Sequence, residues 1–235
     1  MILAAGKGTR LGKITEEIPK VLVDIKGKSV LRLAVEKCTS AGFGDIIINV
    51  HHHADKVEKE VQNLNKEGFR ISVSDERSGL LETGGGLYKA KRFFGSDPFL
   101  LYNADIITDL DLKGMYRFHL QQKGIATLAV RSRPGKRFFL IDGSGVLKGW
   151  CNKATGETIL AGSKGEELRE IAFSGIHIIE PEIFNYMTGG AFTMVKLYLQ
   201  IAGNHKIYTY RSDNGYWFDI GTPEQLQNAR DHFSS

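Results

Sequence analysis

Long apolar runs are missing from this 235-residue chain: no stretch approaches the roughly 18–20 consecutive apolar residues that a membrane-spanning helix needs. The N-terminus also lacks a basic segment followed by an apolar core, so no secretory signal is expected and the protein reads as soluble and cytoplasmic. Cysteine is scarce. Cys38 and Cys151 lie far apart, neither has a second cysteine or a histidine at metal-ligand spacing, and both are expected as buried free thiols. Charge of one sign is not in excess either: 31 basic against 27 acidic residues leave +4, mild for a nucleic-acid binder and better suited to a small anionic ligand. Internal repeats and Pro/Ser-rich linkers are absent, which excludes a solenoid. What is present, 42% hydrophobic content over 235 residues, suffices for a substantial core in one domain, 1–235, or in a domain with a sub-lobe.

Up to about residue 136 the pattern alternates. Ile2–Ala5 is a short strand, "DIIINV", "FRISVS", "PFLLYNAD" and "IATLAV" read as further strands, and helix-period segments separate them. Val30, Leu31, Ala34, Val35 and Cys38 share one helical face, as do Val57, Val61 and Leu64. "GGGLYKAKRFF" and "DLKGMYRFHLQQKG" supply two more helices, with Asp109 and Asp111 as expected caps of the second. Repeated βα alternation predicts an α/β fold, a mixed, mostly parallel sheet flanked by helices in the Rossmann-like manner. After Arg137 the pattern changes to a hairpin turning at Asp142–Gly145, a loop-like "KATGETILAGSKGEE", a long strand "IAFSGIHIIEP", two helical stretches, and a final strand, turn and helix starting at Thr222-Pro223. This second lobe, 137–235, follows the first, 1–136, without a linker.

The opening strand stops at Gly6–Lys13, a segment with three glycines and three cations. In α/β proteins ligands bind at the carboxyl ends of strands, where backbone N–H groups face anions. Gly6 and Gly8 permit close backbone approach while Lys7, Arg10 and Lys13 supply charge, so a phosphate cradle is the natural hypothesis. The spacing fits neither the P-loop, since Ile14 follows Lys13, nor the dinucleotide fingerprint, since Leu11 stands where the third glycine belongs.

"GKGTRLGKITEEIPKVL" after an "LAAG" strand, together with "LLETGGG", "FLLYNADIITD", "AFSGIHIIEP" and "GYWFDIGTPEQL" in that order, resembles the sugar-1-phosphate nucleotidyltransferases over essentially the whole chain. The resemblance implies the nucleotide-diphospho-sugar transferase fold, with a nucleotide-binding lobe at 1–136 and a sugar-binding lobe with the second metal ligand at 137–235. It implies a Mg²⁺-dependent reaction in which a sugar 1-phosphate attacks the α-phosphorus of a nucleoside triphosphate and pyrophosphate leaves. On this resemblance Ala4, Ala5, Gly6, Lys7, Gly8 and Thr9 bind the nucleotide, the loop from Gly6 to Arg10 holding its β- and γ-phosphates, Arg10 steadies the pyrophosphate, and Lys20 contacts the phosphate at the reacting centre. Asp105 and Asp219 are implied as the metal ligands, and two carboxylates from distant segments do suit a hard cation. Glu76, Glu82, Thr83 and Gly85 are expected to border the base, and Asn103, Lys153, Ser174 and Gly175 the sugar phosphate. A β-bulge in a core strand is the alternative for Ser174-Gly175.

The chain departs from the family pattern at Ala104, where glycine is common, and at Asn152-Lys153-Ala154, where many members carry Glu-Lys-Pro. On the resemblance Lys153 is expected to keep the phosphate contact there, and a glutamate contact to a sugar hydroxyl is expected to be lost or changed. "LLETGGG" most resembles compact uridylyltransferases of cell-wall recycling that use UTP and N-acetylmuramic acid 1-phosphate; mannose-1-phosphate guanylyltransferases are close competitors. A glycosyltransferase would show Asp-x-Asp where this chain has Asn103-Ala104-Asp105, and a catalytically silent nucleotide-binding module has no need of Arg10, Lys20, Asp105 and Asp219 together. Partners are therefore small molecules, with no nucleic acid and no membrane. The chain begins on a strand, so one or two residues are expected ahead of Met1, and its end leaves no room for the acetyltransferase domain of some relatives. "HHH" at 51–53 alternates in direction and reads as a loop, and His177 as a core histidine.

Overall fold

In the computed structural model residues 1–6, 8–161 and 167–234 are described. They form two compact units that interleave along the chain: Met1–Glu82, Leu101–Leu110 and Gly215–Ser235 make one, Thr83–Leu100 and Asp111–Asn214 the other. The change of pattern after residue 136 thus falls inside the second unit, and the last 21 residues return to the first.

In the first unit the strand ending at Asn103 lies beside Ile2–Leu3, which lies beside Asp45–Val50 and then Arg70–Asp75, all parallel. Ile2 faces Ile48 on one side and Tyr102 on the other. Five consecutive residues, Ile46–Val50, are buried, as expected of a parallel strand covered on both faces. The helix Val30–Ser40 buries the predicted face, and the Ser29 hydroxyl caps it by accepting from Arg32 N–H at 3.1 Å. Helix Ala54–Lys66 does the same with Val57, Val61 and Leu64. A two-stranded ribbon pairs Trp217–Asp219 antiparallel with Ile106–Thr108, and helix Pro223–Ser234 follows it. Leu11, Val23, Ile25, Val30, Ile107, Ile220, Leu226 and Ala229 form one apolar cluster. It ties the glycine loop to the C-terminal segment, and each fully buried aliphatic side chain in it contributes about 1.5–3 kcal/mol.

In the second unit Ile207–Arg211 runs parallel to Ala126–Arg131, followed in antiparallel order by Arg169–Ile179, Arg137–Ile141, Leu147–Asn152 and Glu157–Leu160. The predicted hairpin turn is held by Asp142, whose Oδ1 accepts from Ser144 N–H at 2.9 Å and Val146 N–H at 3.0 Å. Glu157–Leu160 corrects the loop-like expectation for 153–167. All four of its residues stay exposed, so there was no burial period to read; residues 162–166 of that stretch lie outside the described residues. Asp111 caps helix Leu112–Gln122 as expected, accepting from Gly114 N–H at 2.9 Å. Asp109 does not cap it: in the first unit its carboxylate lies against Gly215, where a Cβ would overlap it. Cys38 and Cys151 are buried free thiols, and desolvation pushes Cys38 up to about 12. His177 is a core histidine with Nδ1 2.8 Å from the Tyr198 hydroxyl, and burial lowers its pKa to about 3. Among the described residues no helix is long and apolar enough to cross a membrane.

Candidate active site

Where Ile2–Leu3 ends, Ala4 and Ala5 are still buried and Gly6 is exposed. Lys7 lies outside the described residues. Gly8 takes a left-handed backbone (φ 66°) and its carbonyl accepts from Leu11 N–H at 2.9 Å and the Thr15 hydroxyl at 3.0 Å. A Cβ on Gly8 would lie 2.9 Å from Lys20 Cβ and 3.1 Å from Thr15 Cγ2, so the loop closes on Lys20 only with glycine here. Thr9–Leu11 form one 3₁₀ turn that buries Leu11 and leaves Thr9 and Arg10 exposed.

Lys20 begins a second 3₁₀ turn directly after Pro19, and it is only 8% exposed. Its ammonium lies 2.5 Å from Asp105 Oδ2 and 3.7 Å from Asp219 Oδ1. The ribbon sets those two carboxylates side by side: Asp219 is in register with Ile106, and Ile220 N–H donates to the Asp105 carbonyl at 2.9 Å. Arg10 joins them through a bare glycine. A Cβ on Gly221 would lie 3.0 Å from each of Arg10 Nη2, Asp219 Oδ1 and Gln225 Oε1. Four predicted residues from four separate segments therefore converge as two cations and two carboxylates.

The Asp105 and Asp219 side chains keep 29% and 27% of their surface exposed, although Asp219 Oδ1 is buried and Asp105 Oδ2 is taken by Lys20. Two partly exposed carboxylates are the oxygen donors that suit a hard divalent cation, whose remaining ligands are commonly phosphates and water. Asn103 stands two residues before Asp105, and its buried Oδ1 has no hydrogen-bond partner among the described residues, which leaves an acceptor for an incoming donor.

Glu76 is not a free carboxylate. It is fully buried, its Oε1 accepts from Asn49 Nδ2 at 2.8 Å and its Oε2 from Leu81 N–H at 3.3 Å. Asn49, 2% exposed, in turn accepts from Ala4 N–H at 2.7 Å. The chain Ala4–Asn49–Glu76–Leu81 ties the start of the glycine loop to the approach to "LLETGGG". Sequence reasoning missed Asn49; its signal was a single amide inside the apolar run "DIIINV". His51 Nδ1 lies 3.0 Å from the Glu76 carbonyl, and His53 enters the following helix at φ 51°. Glu82, exposed, also has a left-handed backbone, φ 61°, a strained conformation for a residue with a Cβ.

The remaining predicted residues belong to the second unit. Thr83 Oγ1 accepts from Met194 N–H at 2.9 Å, and the Gly84 and Gly85 N–H groups donate to the Phe192 carbonyl at 2.8 and 3.2 Å. The Gly85 amide is thus committed to the chain, and a Cβ on Gly84 would overlap the Phe192 ring. Lys153 Nζ pairs with Glu170 at 2.6 Å, which raises its pKa, and it lies 5.6 Å over the Phe138 ring. Ser174 is fully buried with its hydroxyl 3.4 Å from that of Ser212, and Gly175 (φ 82°) sits at a break in strand register between Phe173 and His177. The bulge is what the structure contains, and the Ser174 side chain points into packing.

The family model described as nucleotidyl transferase matches residues 1–235. The chain is 28% identical to an N-acetylmuramate alpha-1-phosphate uridylyltransferase of Neisseria meningitidis, over 98% of this chain and 96% of that one. It is 30% identical to the mannose-1-phosphate guanylyltransferase catalytic subunit beta of Xenopus tropicalis, over 96% of this chain but 62% of that one. Among solved structures, HddC from Yersinia pseudotuberculosis complexed with GMP-PN superposes with a TM-score of 0.77 at 24% identity, covering 99% of this chain and 97% of that one.

Proposed function

The chain belongs to the nucleotidyl transferase family and is a sugar-1-phosphate nucleotidyltransferase, and from that premise we propose that it transfers UMP from UTP to N-acetylmuramic acid 1-phosphate. The observation that supports the chemistry is the convergence of Arg10, Lys20, Asp105 and Asp219. What supports this substrate pair is the match, along 96% and 92% of their lengths, to two uridylyltransferases of that specificity.

The acceptor is a phosphate monoester, already mostly dianionic at neutral pH, so its oxygen attacks the α-phosphorus without a general base. One P–O bond forms to the α-phosphorus as the bond to the β-phosphate oxygen breaks, and pyrophosphate leaves in line. Positioning and charge neutralisation therefore carry the catalysis. Asp105 and Asp219 would hold Mg²⁺, which when bound neutralises phosphate charge and polarises a phosphoryl oxygen. Lys20, held by Asp105 before substrate arrives, offers a pre-oriented ammonium to the phosphate at the reacting centre. Arg10, on the exposed face of the loop, steadies the departing pyrophosphate, and the backbone of Gly6–Thr9 lines its path. Asn103, Lys153 and the backbone at Gly175 are assigned to the sugar phosphate, and Glu82 and Thr83 to the base. The phosphorylated substrates imply a cytoplasmic enzyme.

The second reading, GTP with mannose 1-phosphate, is favoured by the 30% identity to the Xenopus subunit, although this chain spans 62% of it. Pyrophosphate release with Mg²⁺, across UTP, GTP, CTP and dTTP crossed with N-acetylmuramic acid, mannose, glucose and N-acetylglucosamine 1-phosphates, separates them. UTP with N-acetylmuramic acid 1-phosphate is expected to give the highest kcat/KM. A maximum at GTP with mannose 1-phosphate replaces the reading with its competitor.

A further inference from the structure

Three polar side chains of the first unit each stand beside a buried anchor in the chain. Leu11 follows Arg10, Ile220 separates Asp219 from Gly221, and Leu226 follows Gln225; all three anchors belong to one apolar cluster. The cluster brings their polar neighbours close. The position a Cβ would take on Gly221 lies 3.0 Å from each of Arg10 Nη2, Asp219 Oδ1 and Gln225 Oε1, so no two of these atoms are farther apart than twice that distance.

Gln225 stands in the first turn of helix Pro223–Ser234. Its N–H donates to the Thr222 hydroxyl at 3.3 Å, and Leu226 N–H donates to the Thr222 carbonyl at 2.9 Å, which fixes the backbone there. The side chain turns back on the preceding loop, where Oε1 accepts from Gly221 N–H at 3.2 Å. The same N–H donates to the Asp219 carbonyl at 2.7 Å, so Gln225 braces the turn that follows the Asp219 carboxylate. With an N–H as the donor, it is the oxygen end of the Gln225 amide that lies at this point.

Charge decides which side chain the position can hold. Gly221 N–H needs an acceptor, and glutamate would supply one as well as glutamine does. A carboxylate there would also meet the Arg10 guanidinium, which forms no ion pair or hydrogen bond among the described residues. It would occupy the planar fork that a guanidinium otherwise offers to a phosphate, and it would set a like charge beside Asp219. The neutral amide gives the hydrogen bond and leaves the guanidinium uncommitted.

We propose that Gln225 is a positioning residue whose uncharged amide braces Gly221 beside Asp219 and keeps Arg10 available to the departing pyrophosphate. The inference rests on the reading of Arg10 as the pyrophosphate contact.

Inorganic pyrophosphate is the probe, and its Kd is measured by calorimetry on the full-length protein at fixed Mg²⁺ without sugar phosphate. The proteins are wild type, Gln225→Glu, Gln225→Leu, Arg10→Gln and the Arg10→Gln/Gln225→Glu double variant. Gln225→Glu is expected to raise Kd roughly 10- to 100-fold, the loss of one charge-assisted contact. Its urea midpoint should stay at the wild-type value, because the acceptor for Gly221 N–H is kept. Gln225→Leu, which adds no charge, should raise Kd by less. In the Arg10→Gln background the added Gln225→Glu should change Kd by less than about twofold, since no guanidinium is left to capture. Weakening by Arg10→Gln but a Kd within about twofold of wild type for Gln225→Glu overturns the inference and leaves the Arg10 reading intact. Equal weakening by Gln225→Glu with and without Arg10 also overturns it, because the carboxylate would then repel the anion directly. A wild-type Kd in Arg10→Gln overturns both.

Discussion

Replacing Glu76 isolates the buried chain that joins the glycine loop to the "LLETGGG" approach. The orientation of Asn49 is determined by its neighbours: Ala4 N–H needs the amide oxygen at 2.7 Å, so the NH₂ group faces Glu76 at 2.8 Å. Glu76 then meets two donors, Asn49 Nδ2 and Leu81 N–H, with two acceptor oxygens. Glu76→Ala leaves both donors without their acceptor at a site where Glu76 is fully buried and Asn49 is 2% exposed. At about 1–3 kcal/mol per orphaned group, less what is regained by removing a buried carboxyl, the cost is about 2–4 kcal/mol. Glu76→Gln presents one oxygen and one NH₂ group to those two donors, so one contact becomes donor against donor. Its cost is about 1–3 kcal/mol. Asn49 cannot flip to relieve it without opposing its own NH₂ group to Ala4 N–H. Urea unfolding measures both variants, and the KM for UTP should rise in each, because Ala4 loses its fixed partner. A cost under about 0.5 kcal/mol for Glu76→Ala, or a wild-type UTP KM in both, refutes the argument that this chain positions the loop.

Asp105→Asn or Asp219→Asn should lower turnover at least about 100-fold and raise the Mg²⁺ concentration needed for half-maximal rate, with little change in unfolding midpoint; unchanged turnover in both removes the metal assignment. Gly84→Ala forces a Cβ onto the Phe192 ring and should destabilise by about 1–3 kcal/mol in thermal unfolding, whereas Gly6→Ala, with open space around it, should not. His177 is depressed to about 3 from an ordinary 6.5, so the unfolded chain binds the extra proton. Its neutral burial stabilises fully above about pH 6.5 and that stabilisation is lost as pH falls toward 3, by up to about 1.4 kcal/mol per pH unit. His177→Gln should flatten that acid limb, and an unchanged limb in urea titrations from pH 7 to 4 would count against the burial argument.

The parallel half of the fold was legible because its strands are continuous apolar runs and its helices carry a clean 3.6-residue period, as in Val57, Val61 and Leu64. The strand Glu157–Leu160 was not, since an edge strand exposed on all four residues leaves no alternation. Nor were the boundaries of the two units. The return of residues 215–235 to the first unit depends on Ile220 and Leu226 packing with Leu11 and Val23, contacts across some 200 residues that no local period reveals.

Of the candidate site, the residues legible in the sequence were charged side chains within motifs, and the hidden ones act through absence or burial. Arg10, Lys20, Asp105 and Asp219 were found from motifs, but their meeting depends on Gly8 and Gly221. One carries a left-handed backbone against the Lys20 stem, and the other leaves the room that Arg10 and Asp219 share. Glu76 and Ser174 looked like ligand groups because carboxylates and hydroxyls look alike in a string of letters. Burial reassigns both, since the oxygens of Glu76 are occupied by Asn49 and Leu81, and the Ser174 hydroxyl faces Ser212. Two carboxylates held side by side repel one another unless a cation lies between them, and Lys20 pairs with both. Lys20 at 2.5 Å from Asp105 is the closer of these pairs, and on the proposed assignment a phosphate arriving there would give the ammonium a further anionic partner.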